Sequence, residues 1–290
     1  MPASQSWTVG NLTIHRIDEI ALPPHTGAWL LPAATPELVT EQRWLQPDFA
    51  DTDGTLNLDS HTFAATIDGL RVLVDTGIGN GKTRANPAWN NLDTDYLQRL
   101  AAAGFPPESI DLVVLTHLHT DHVGWNTHWH NGSWSPTFPN ARYLTSRTEW
   151  SFWADYDMDE PRQQMFDDSI HPINDAGLLD ILEIPDSGLD VSPGLRLLPT
   201  PGHTPGHLAV QLGHSALITG DCIHHPIQFA HPTIGSCVDI NPHQAESTRR
   251  ALLHSLAGTE TLLLGTHFPS PTTGLVVNDE TGYRLIPSDR

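Results

Sequence analysis

The sequence contains few cysteines and has no long apolar run. Its two cysteines, Cys222 and Cys237, do not form a Cys-x-x-Cys pair, which excludes a disulfide framework. The longest apolar stretches fall short of the roughly 18 residues that a transmembrane helix needs, so no membrane span is expected. The first residues lack the basic and apolar segments of a secretory leader. We therefore expect reduced thiols and a cytoplasmic location.

Basic residues are also scarce. Only 14 lysines and arginines accompany 34 aspartates and glutamates, which gives a formal net charge of −20. Proteins that bind a phosphate backbone or an anionic membrane need a basic face, so neither nucleic acid nor membrane is expected as a partner. The charge can serve solubility alone, or bound divalent cations can offset part of it locally.

The length and composition suit one large domain with a real core. The chain has 290 residues, of which 38% are hydrophobic. Residues 1–60 are rich in proline and irregular, with one strand predicted at Trp7–Ile17. We predict that residues 1–60 form an N-terminal lead segment packed on a single domain of residues 61–290.

From residue 63 onward, short apolar runs alternate with polar loops. Asp68-Gly69 predicts a hairpin turn, Thr94 predicts a helix N-cap, and Asn241-Pro242 predicts the start of another helix. The run TLLLGTHF predicts a last buried strand that ends at His267. Polar residues stand at or just past the ends of five such runs: Asp75, His117, His203, Asp221 and His267. Side chains at strand ends can converge on one edge of a sheet, where ligand-binding groups collect.

The segment LTHLHTDHVG, residues 115–124, concentrates four potential metal ligands. In extended backbone, His117, His119 and Asp121 would point to one side and His122 elsewhere. The loop could thus offer two imidazoles to one cation, and Asp121 with His122 to a second. A zinc-like ion needs three or four ligands, so residues further along the chain must complete both sites. A solvated polar loop fits poorly between the apolar VVL and VGW.

The motif T-H-x-H-x-D-H resembles the signature of the metallo-β-lactamase superfamily. The later stretches PGHTPGH, GD and GTH are similar to its remaining metal motifs and occur in the same order, and VDTG at 74–77 is similar to its early strand end. The resemblance runs from about residue 60 to 270. It implies an α/β fold, a four-layer αββα sandwich with a dinuclear metal site.

The resemblance also implies a set of site residues. A first metal ion would be held by His117, His119 and His203, and a second by Asp121, His122 and His267. Asp221 would bridge both ions, and Asp75 would orient ligand imidazoles by accepting their second N–H. Two divalent ions are expected, zinc first, with manganese, iron or cobalt as alternatives.

Such a pair of ions implies hydrolysis. Metal binding lowers the pKa of water towards about 7, so a shared hydroxide would attack a carbonyl or phosphoryl group. Asp121 or Asp221 would pass the proton to the leaving group. Cys222 directly follows Asp221, but a covalent role is disfavoured because a residue beside a ligand at a strand end faces away from it.

Two further stretches, GDCIHHPIQFAHP and HFPSPTTG, resemble the group that contains methyl parathion hydrolase. Homoserine-lactone lactonases, the neighbouring group, carry a tyrosine three residues after the bridging aspartate, where this chain has His224. Two roles stay open for His224: donation to a carbonyl oxygen or leaving group, or support of the ligands. The implied function is hydrolysis of a lactone or a carboxylic or aryl ester, with phosphotriesters as further substrates. The alternative is a non-hydrolytic metal-binding sensor or an iron-dependent oxidoreductase of the same fold.

Tryptophan is concentrated in the insertion that follows the histidine-rich loop. Five of the nine tryptophans lie between residues 125 and 153. Trp150, Trp153 and, after Asp221, Phe229 are predicted to line a pocket for a small apolar or aromatic ester or lactone. Ordinary packing under a long loop is the alternative. The related group suggests a homodimer.

Overall fold

The computed structural model describes residues 5–280 and 282–288. The chain divides into two compact units, one formed by residues up to 20 with residues 60–184, the other by residues 21–59 with residues from 185 onward. Within the described residues, each unit contains a seven-stranded sheet. The predicted boundary at residue 60 stays a prediction. No helix in the described part of the chain has the length and apolar character needed to cross a membrane.

The sheet of the first unit is mixed. The strands of this unit are β1 (Ser6–Val9), β2 (Leu12–Ala21), β3 (Asp59–Ile67), β4 (Leu70–Val74), β5 (Leu112–Val114), β6 (Thr127–His130), β7 (Ser133–Pro136), β8 (Arg142–Ser146) and β9 (Leu179–Leu182). The sheet order is β1-β2-β3-β4-β5-β8-β9, and β6 with β7 forms a separate hairpin. Strands β4, β5, β8 and β9 run parallel. Their carboxyl ends therefore share one sheet edge, where loops that carry ligands collect.

The sheet of the second unit follows the chain order. Its strands are β10 (Leu189–Ser192), β11 (Leu195–Pro199), β12 (Leu208–Leu212), β13 (Ala216–Ile218), β14 (Leu262–Leu264), β15 (Thr273–Asn278) and β16 (Tyr283–Pro287). Neighbours are antiparallel except β13 and β14, which are parallel. Consequently β11, β13 and β14 all point in one direction, and the loops that follow them leave the same edge of the sheet.

Short helices and one longer helix complete the units. They are α1 (His25–Leu30), α2 (Pro36–Glu41), α3 (Tyr96–Ala102), α4 (Arg147–Asp155), α5 (Glu160–Met165), α6 (His171–Asp175), α7 (Ile227–Ala230) and α8 (Pro242–Leu256). A π-helical turn, Phe166–Ile170, joins α5 to α6. Helix α4 packs on β8 and β9, and α8 packs on β15. Burying an apolar face against a sheet is what stabilises such short helices.

Local turn and cap chemistry was predictive at two places. The hairpin between β3 and β4 is confirmed, with Asp68 and Gly69 both at positive φ. The start of α8 is also confirmed, because the Asn241 side chain accepts from the N–H of Gln244 and Pro242 occupies the first turn.

Three local predictions are wrong. The single strand at Trp7–Ile17 is two strands, because the chain turns at Gly10, which has φ +64°. Asp95, and not Thr94, precedes α3, since the N–H and hydroxyl of Thr94 are both bound to Asn80 Oδ1. The strand predicted to end at His267 ends at Leu264 and is not the last, because β15 and β16 follow it.

Candidate metal centre

The histidine-rich loop follows β5 in the first unit. The ring of His117 lies 4.5 Å from that of His119 and 4.1 Å from that of His122, measured between centroids. A backbone hydrogen bond of 3.1 Å from His122 N to His119 O closes a turn within the loop. The expectation that His122 points away from its neighbours is therefore wrong, because the turn replaces extended backbone and returns the ring to His117.

Asp75, directly after β4, is the acceptor that organises this loop. Its Oδ1 accepts from the N–H of Thr116 at 2.8 Å, and its Oδ2 accepts from the Thr116 hydroxyl at 2.8 Å and from His122 Nδ1 at 2.9 Å. The Thr116 oxygen, having donated its proton, accepts from His117 Nδ1 at 3.0 Å. Both imidazoles thus carry their proton on Nδ1, and the lone pair stays on Nε2, the arrangement of a metal-ligating histidine.

A buried glutamate shapes the turn that follows Asp75. Glu19 accepts from the N–H groups of Ile78 (2.7 Å) and Gly79 (2.9 Å), from Trp125 Nε1 (2.8 Å) and from the Ser60 hydroxyl (3.1 Å). Burial raises the pKa of Glu19 even though these hydrogen bonds oppose the shift. The turn is held from behind by a side chain that is itself satisfied by four donors.

Helix α4 supports the other side of the loop. Glu149 Oε1 accepts from the N–H of Leu118 at 3.0 Å and from Trp153 Nε1 at 2.7 Å. The Trp153 ring lies edge-on to His119, with 5.6 Å between centroids. Trp153 is therefore fixed to the loop by a shared acceptor and by ring contact.

Two of the predicted pocket residues line one cavity in the first unit. Trp150 and Trp153 border a cavity of about 300 Å³, together with Tyr156, Met158 and Phe166. Phe229 lies in the second unit, where it is fully buried in contact with Phe268, 6.0 Å between ring centroids. The structure therefore groups the two tryptophans but not Phe229. That these residues contact substrate stays a prediction.

Three predicted ligands of the second unit meet at one carboxylate. His203, Asp221 and His267 follow β11, β13 and β14, the three strands that point the same way. Asp221 Oδ2 lies 3.5 Å from His203 Nε2, and Asp221 Oδ1 lies 3.3 Å from His267 Nε2. The strand arrangement thus brings together donors that are far apart in the chain.

Both of these histidines are anchored through their other nitrogen. His203 Nδ1 donates to Asp239 Oδ1 at 2.9 Å, and His267 Nδ1 donates to the carbonyl oxygen of Asp59 at 2.9 Å. Burial favours a higher pKa for Asp239, but the hydrogen bond from His203 and the nearby His224 outweigh it, and the net pKa is lowered. Asp239 therefore stays an ionised acceptor. Sequence reasoning missed it, because nothing in its neighbourhood marks it as a partner of His203.

The second histidine of PGHTPGH, His207, was also missed. Its Nδ1 pairs with the Thr200 hydroxyl at 2.8 Å, and its Nε2 accepts from the N–H of Asp221 at 2.8 Å. Gly220 lies at φ +52°, and a Cβ there would be 2.6 Å from His207 Nε2. The ring therefore fixes the backbone that carries Asp221, and a larger residue at 220 would displace it. The repeated PGH was the available signal.

A sequence model of the Metallo-beta-lactamase superfamily matches residues 58–267. The chain belongs to the metallo-β-lactamase superfamily. The matched stretch covers well over half of the chain and includes every predicted metal ligand. The predicted fold class, an α/β fold of the metallo-β-lactamase type, is confirmed.

Curated relatives are N-acyl homoserine lactonases. The protein from Bacillus cereus is 29% identical over 121 residues, which is 41% of this chain and 40% of that protein. One from Bacillus sp is 30% identical over 148 residues, 47% of this chain and 51% of that protein. The chain thus spans about half the length of the curated relatives it matches.

Solved structures resemble almost the whole chain. The hydrolase AbOPH of the beta-lactamase superfamily has a TM-score of 0.78 at 24% identity and covers 99% of this chain and 98% of its own. AidC, a dizinc quorum-quenching lactonase, has a TM-score of 0.78 at 20% identity and covers 99% and 97%. At these identities the likeness establishes the fold alone.

The donors in each unit suit a divalent metal of this superfamily. They are imidazole nitrogens and carboxylate oxygens, the ligands that zinc and related ions prefer. The Nδ1 atoms of His117, His122, His203 and His267 are all held by hydrogen bonds, so Nε2 is the atom through which each ring would coordinate a metal. The residues present therefore fit metal ions.

The surroundings of Cys222 argue against a role as a nucleophile. It is buried, and burial raises the pKa of its thiol to about 12. Since the thiolate is the reactive form, this thiol is inert at neutral pH. Its carbonyl oxygen accepts from Arg249 Nη1 at 3.0 Å, while Arg249 Nε donates to the carbonyl oxygen of Pro232 at 3.0 Å. The buried guanidinium thus ties the Asp221-Cys222 turn to a neighbouring loop.

His224 lies in the same group of donors as His203 and Asp221. Its imidazole is 1% exposed, and its Nε2 is 3.3 Å from Asp221 Oδ2. Burial lowers the pKa of His224, although Asp221 opposes the shift. The neutral ring that results is the form able to bind a metal.

Proposed function

We propose that this protein is a hydrolase that depends on two divalent metal ions and cleaves lactones or carboxylic and aryl esters. One observation carries the proposal. His122, His203 and His267 are each held by an Nδ1 hydrogen bond to a carboxylate or carbonyl oxygen, which makes Nε2 the atom that would coordinate a metal. Imidazoles held in this way are typical of metal sites.

The proposed ligand sets are those of the superfamily. His117, His119 and His203 would hold one ion, Asp121, His122 and His267 would hold the other, and Asp221 would contribute to both. When bound, the ions would polarise the scissile carbonyl and activate water. Zinc is the proposed metal, because the similar lactonase AidC is a dizinc protein, and manganese, iron and cobalt, which the same donors accept, are the alternatives.

Hydrolysis adds water across the acyl C–O bond, so one proton must reach the leaving oxygen. Asp121 is the proposed carrier. Its side chain is 15% exposed, against 5% for Asp221, so a substrate oxygen can approach it more easily. Asp75 is proposed to keep the ligand imidazoles oriented through its bonds to Thr116 and His122.

A lactone with an apolar acyl group is the proposed substrate. The curated relatives are named N-acyl homoserine lactonases, and one similar structure, at 19% identity, holds N-hexanoyl-L-homoserine at its catalytic metal centre. The cavity beside Trp150 and Trp153 suits an acyl chain or an aryl ring. Aryl esters and phosphotriesters are the second candidate substrates, because His224 replaces the tyrosine expected of a homoserine lactonase. The homodimer and the cytoplasmic location stay predictions.

The test is a comparison of kcat/KM on a long-chain acyl lactone, an aryl ester and a phosphotriester, each with zinc-, manganese- and cobalt-loaded protein. We expect the lactone to be preferred about 100-fold, equivalent to about 2.7 kcal/mol of transition-state discrimination. A preference for the aryl ester or phosphotriester would reassign the substrate. Metal-loaded protein that hydrolyses none of the three would refute the hydrolase and favour a metal-binding sensor or an iron-dependent oxidoreductase.

A further inference from the structure

His224 is a buried histidine without a settled partner. Neither of its ring nitrogens makes a well-formed hydrogen bond to another described residue. Its backbone, in contrast, is fixed, since its N–H donates to Gln228 Oε1 at 2.7 Å. Burying an imidazole without hydrogen bonds is costly, so the ring indicates a ligand that would satisfy it.

The distances around Asp221 Oδ2 match the spacing of neighbouring ligand atoms around one ion. With zinc–ligand bonds of roughly 2.0–2.2 Å, neighbouring ligand atoms lie about 3.0–3.7 Å from one another in four- or five-coordinate sites. Asp221 Oδ2 lies 3.3 Å from His224 Nε2 and 3.5 Å from His203 Nε2. The ligand atoms of these three residues all lie within 4.8 Å of one another. A direct hydrogen bond would be shorter, at about 2.9 Å.

The two oxygens of Asp221 also divide the surrounding histidines. His203 and His224 face Oδ2, whereas His267 faces Oδ1 at 3.3 Å. The rings of His224 and His267 are parallel, with 6.1 Å between centroids, and thus do not compete for one position. This division is what a carboxylate that bridges two ions requires.

We propose that His224 is a further metal ligand, which binds through Nε2 the same ion as His203 and Asp221 Oδ2. The proposal rests on the proposed metal-dependent function and adds one residue to the ligand set that the superfamily implies. Three donors would then come from the second unit alone. Because His224 Nδ1 has no acceptor among the described residues, unlike His203 and His267, its bond is expected to be weaker than theirs.

The experiment is a titration of Co(II) into the metal-free full-length protein, followed by visible absorption and by metal stoichiometry. The variants are His224→Gln, which keeps a polar side chain of similar length, and His224→Tyr, which introduces the residue expected of a homoserine lactonase. His214→Gln is the control, an exposed histidine of the same unit. In both His224 variants we expect one ion to bind about tenfold more weakly or worse, with an altered d–d band, and no change in the control.

Wild-type affinity and spectrum in both variants, with lowered kcat/KM, would overturn the proposal and make His224 a group that faces substrate. Weaker binding in either variant, with the absorption change and with metal-free thermal unfolding unaltered, would support it. Failure of the proposed function looks different, since wild-type protein would then bind cobalt normally and hydrolyse none of the test substrates.

Discussion

The two units present their proposed metal ligands in different ways. In the first, four donors lie within residues 117–122, and one backbone turn brings the ring of His122 back to that of His117. In the second, His203, Asp221 and His267 come from loops after three separate strands. The first arrangement depends on local conformation, whereas the second depends on strands that run in one direction. A contiguous motif therefore identifies a site directly, but dispersed ligands need a fold to bring them together.

The hydrogen-bond acceptors that hold the Nδ1 atoms of the proposed ligand histidines also differ between the two units. In the first unit, Asp75 reaches His122 and Thr116 from the end of the neighbouring parallel strand. In the second unit, one anchor is the side chain of Asp239 and the other is the main-chain carbonyl of Asp59. Substitution can remove the side-chain acceptors Asp75 and Asp239, one in each unit, but not the main-chain carbonyl of Asp59.

The largest effect is expected at the carboxylate on which the second unit converges. Asp221→Ala removes the group that faces three histidines, so kcat/KM should fall by about 1,000-fold or more, from a loss of several kcal/mol of transition-state stabilisation. Bound metal, measured by elemental analysis, should fall as well. Asp186→Ala, an exposed aspartate of the same unit, is the control. A loss below tenfold would end the dinuclear proposal.

The anchors should show the next largest effect. Asp239→Asn and Asp75→Asn each remove a charged acceptor from a ligand histidine, and metal affinity should weaken by about 10–100-fold in both. Asparagine tolerates the positive φ of Asp75, 59°, so that variant tests charge and not backbone conformation. Competition with a chromophoric chelator measures the affinities. If only Asp239→Asn weakens binding, the parallel between the units fails.

The buried cations of the two units allow a comparison of how each unit's stability depends on pH. Lys82, in the first unit, donates to Thr127 Oγ1 at 2.7 Å and to the carbonyl oxygen of Asp168 at 3.0 Å. Burial lowers its pKa from 10.5 to about 7, although Asp168 opposes the shift. Between these values the unfolded chain binds more protons than the folded chain, so stability should rise with pH from about 7 to 10 and be lost as pH falls.

Urea unfolding of metal-free protein at several pH values tests this. The free energy of unfolding should rise by a few kcal/mol, as an order of magnitude, between about pH 7 and 10, and this rise should disappear in Lys82→Met. Burial also lowers the pKa of Arg249, the buried cation of the second unit, but a guanidinium stays protonated in proteins, so Arg249 should contribute no such slope. Equal slopes in wild type and Lys82→Met would show that Lys82 is not the titrating group.

The smallest effect is expected at Cys222, the residue that directly follows Asp221 in the chain. Cys222→Ala should leave kcat/KM within about threefold of wild type, because a protonated thiol is not a nucleophile. The assay is the same lactone hydrolysis, with metal content measured in parallel. A loss above tenfold at unchanged metal content would restore a chemical role for the thiol and blur the contrast with Asp221.

Local chemistry accounts for the structural features that could be predicted from the sequence. Asp68-Gly69 and Asn241-Pro242 specify a turn and a helix start through contacts between near neighbours in the chain. Threonine is also a common helix N-cap, but the N–H of Thr94 donates to Asn80 Oδ1, and Thr94 does not cap α3. The orientation of His122 was not predicted, because the same spacing of histidines in the sequence fits an extended loop as well as a turn.

The sequence by itself determined which residues could bind metal, because residue type, spacing and position after an apolar run can all be identified without the structure. Only the tertiary structure decided what holds those residues. The pairing of His203 with Asp239 joins residues 36 positions apart, and that of His267 with the carbonyl of Asp59 spans 208. A main-chain acceptor has no sequence signature, since every residue carries one.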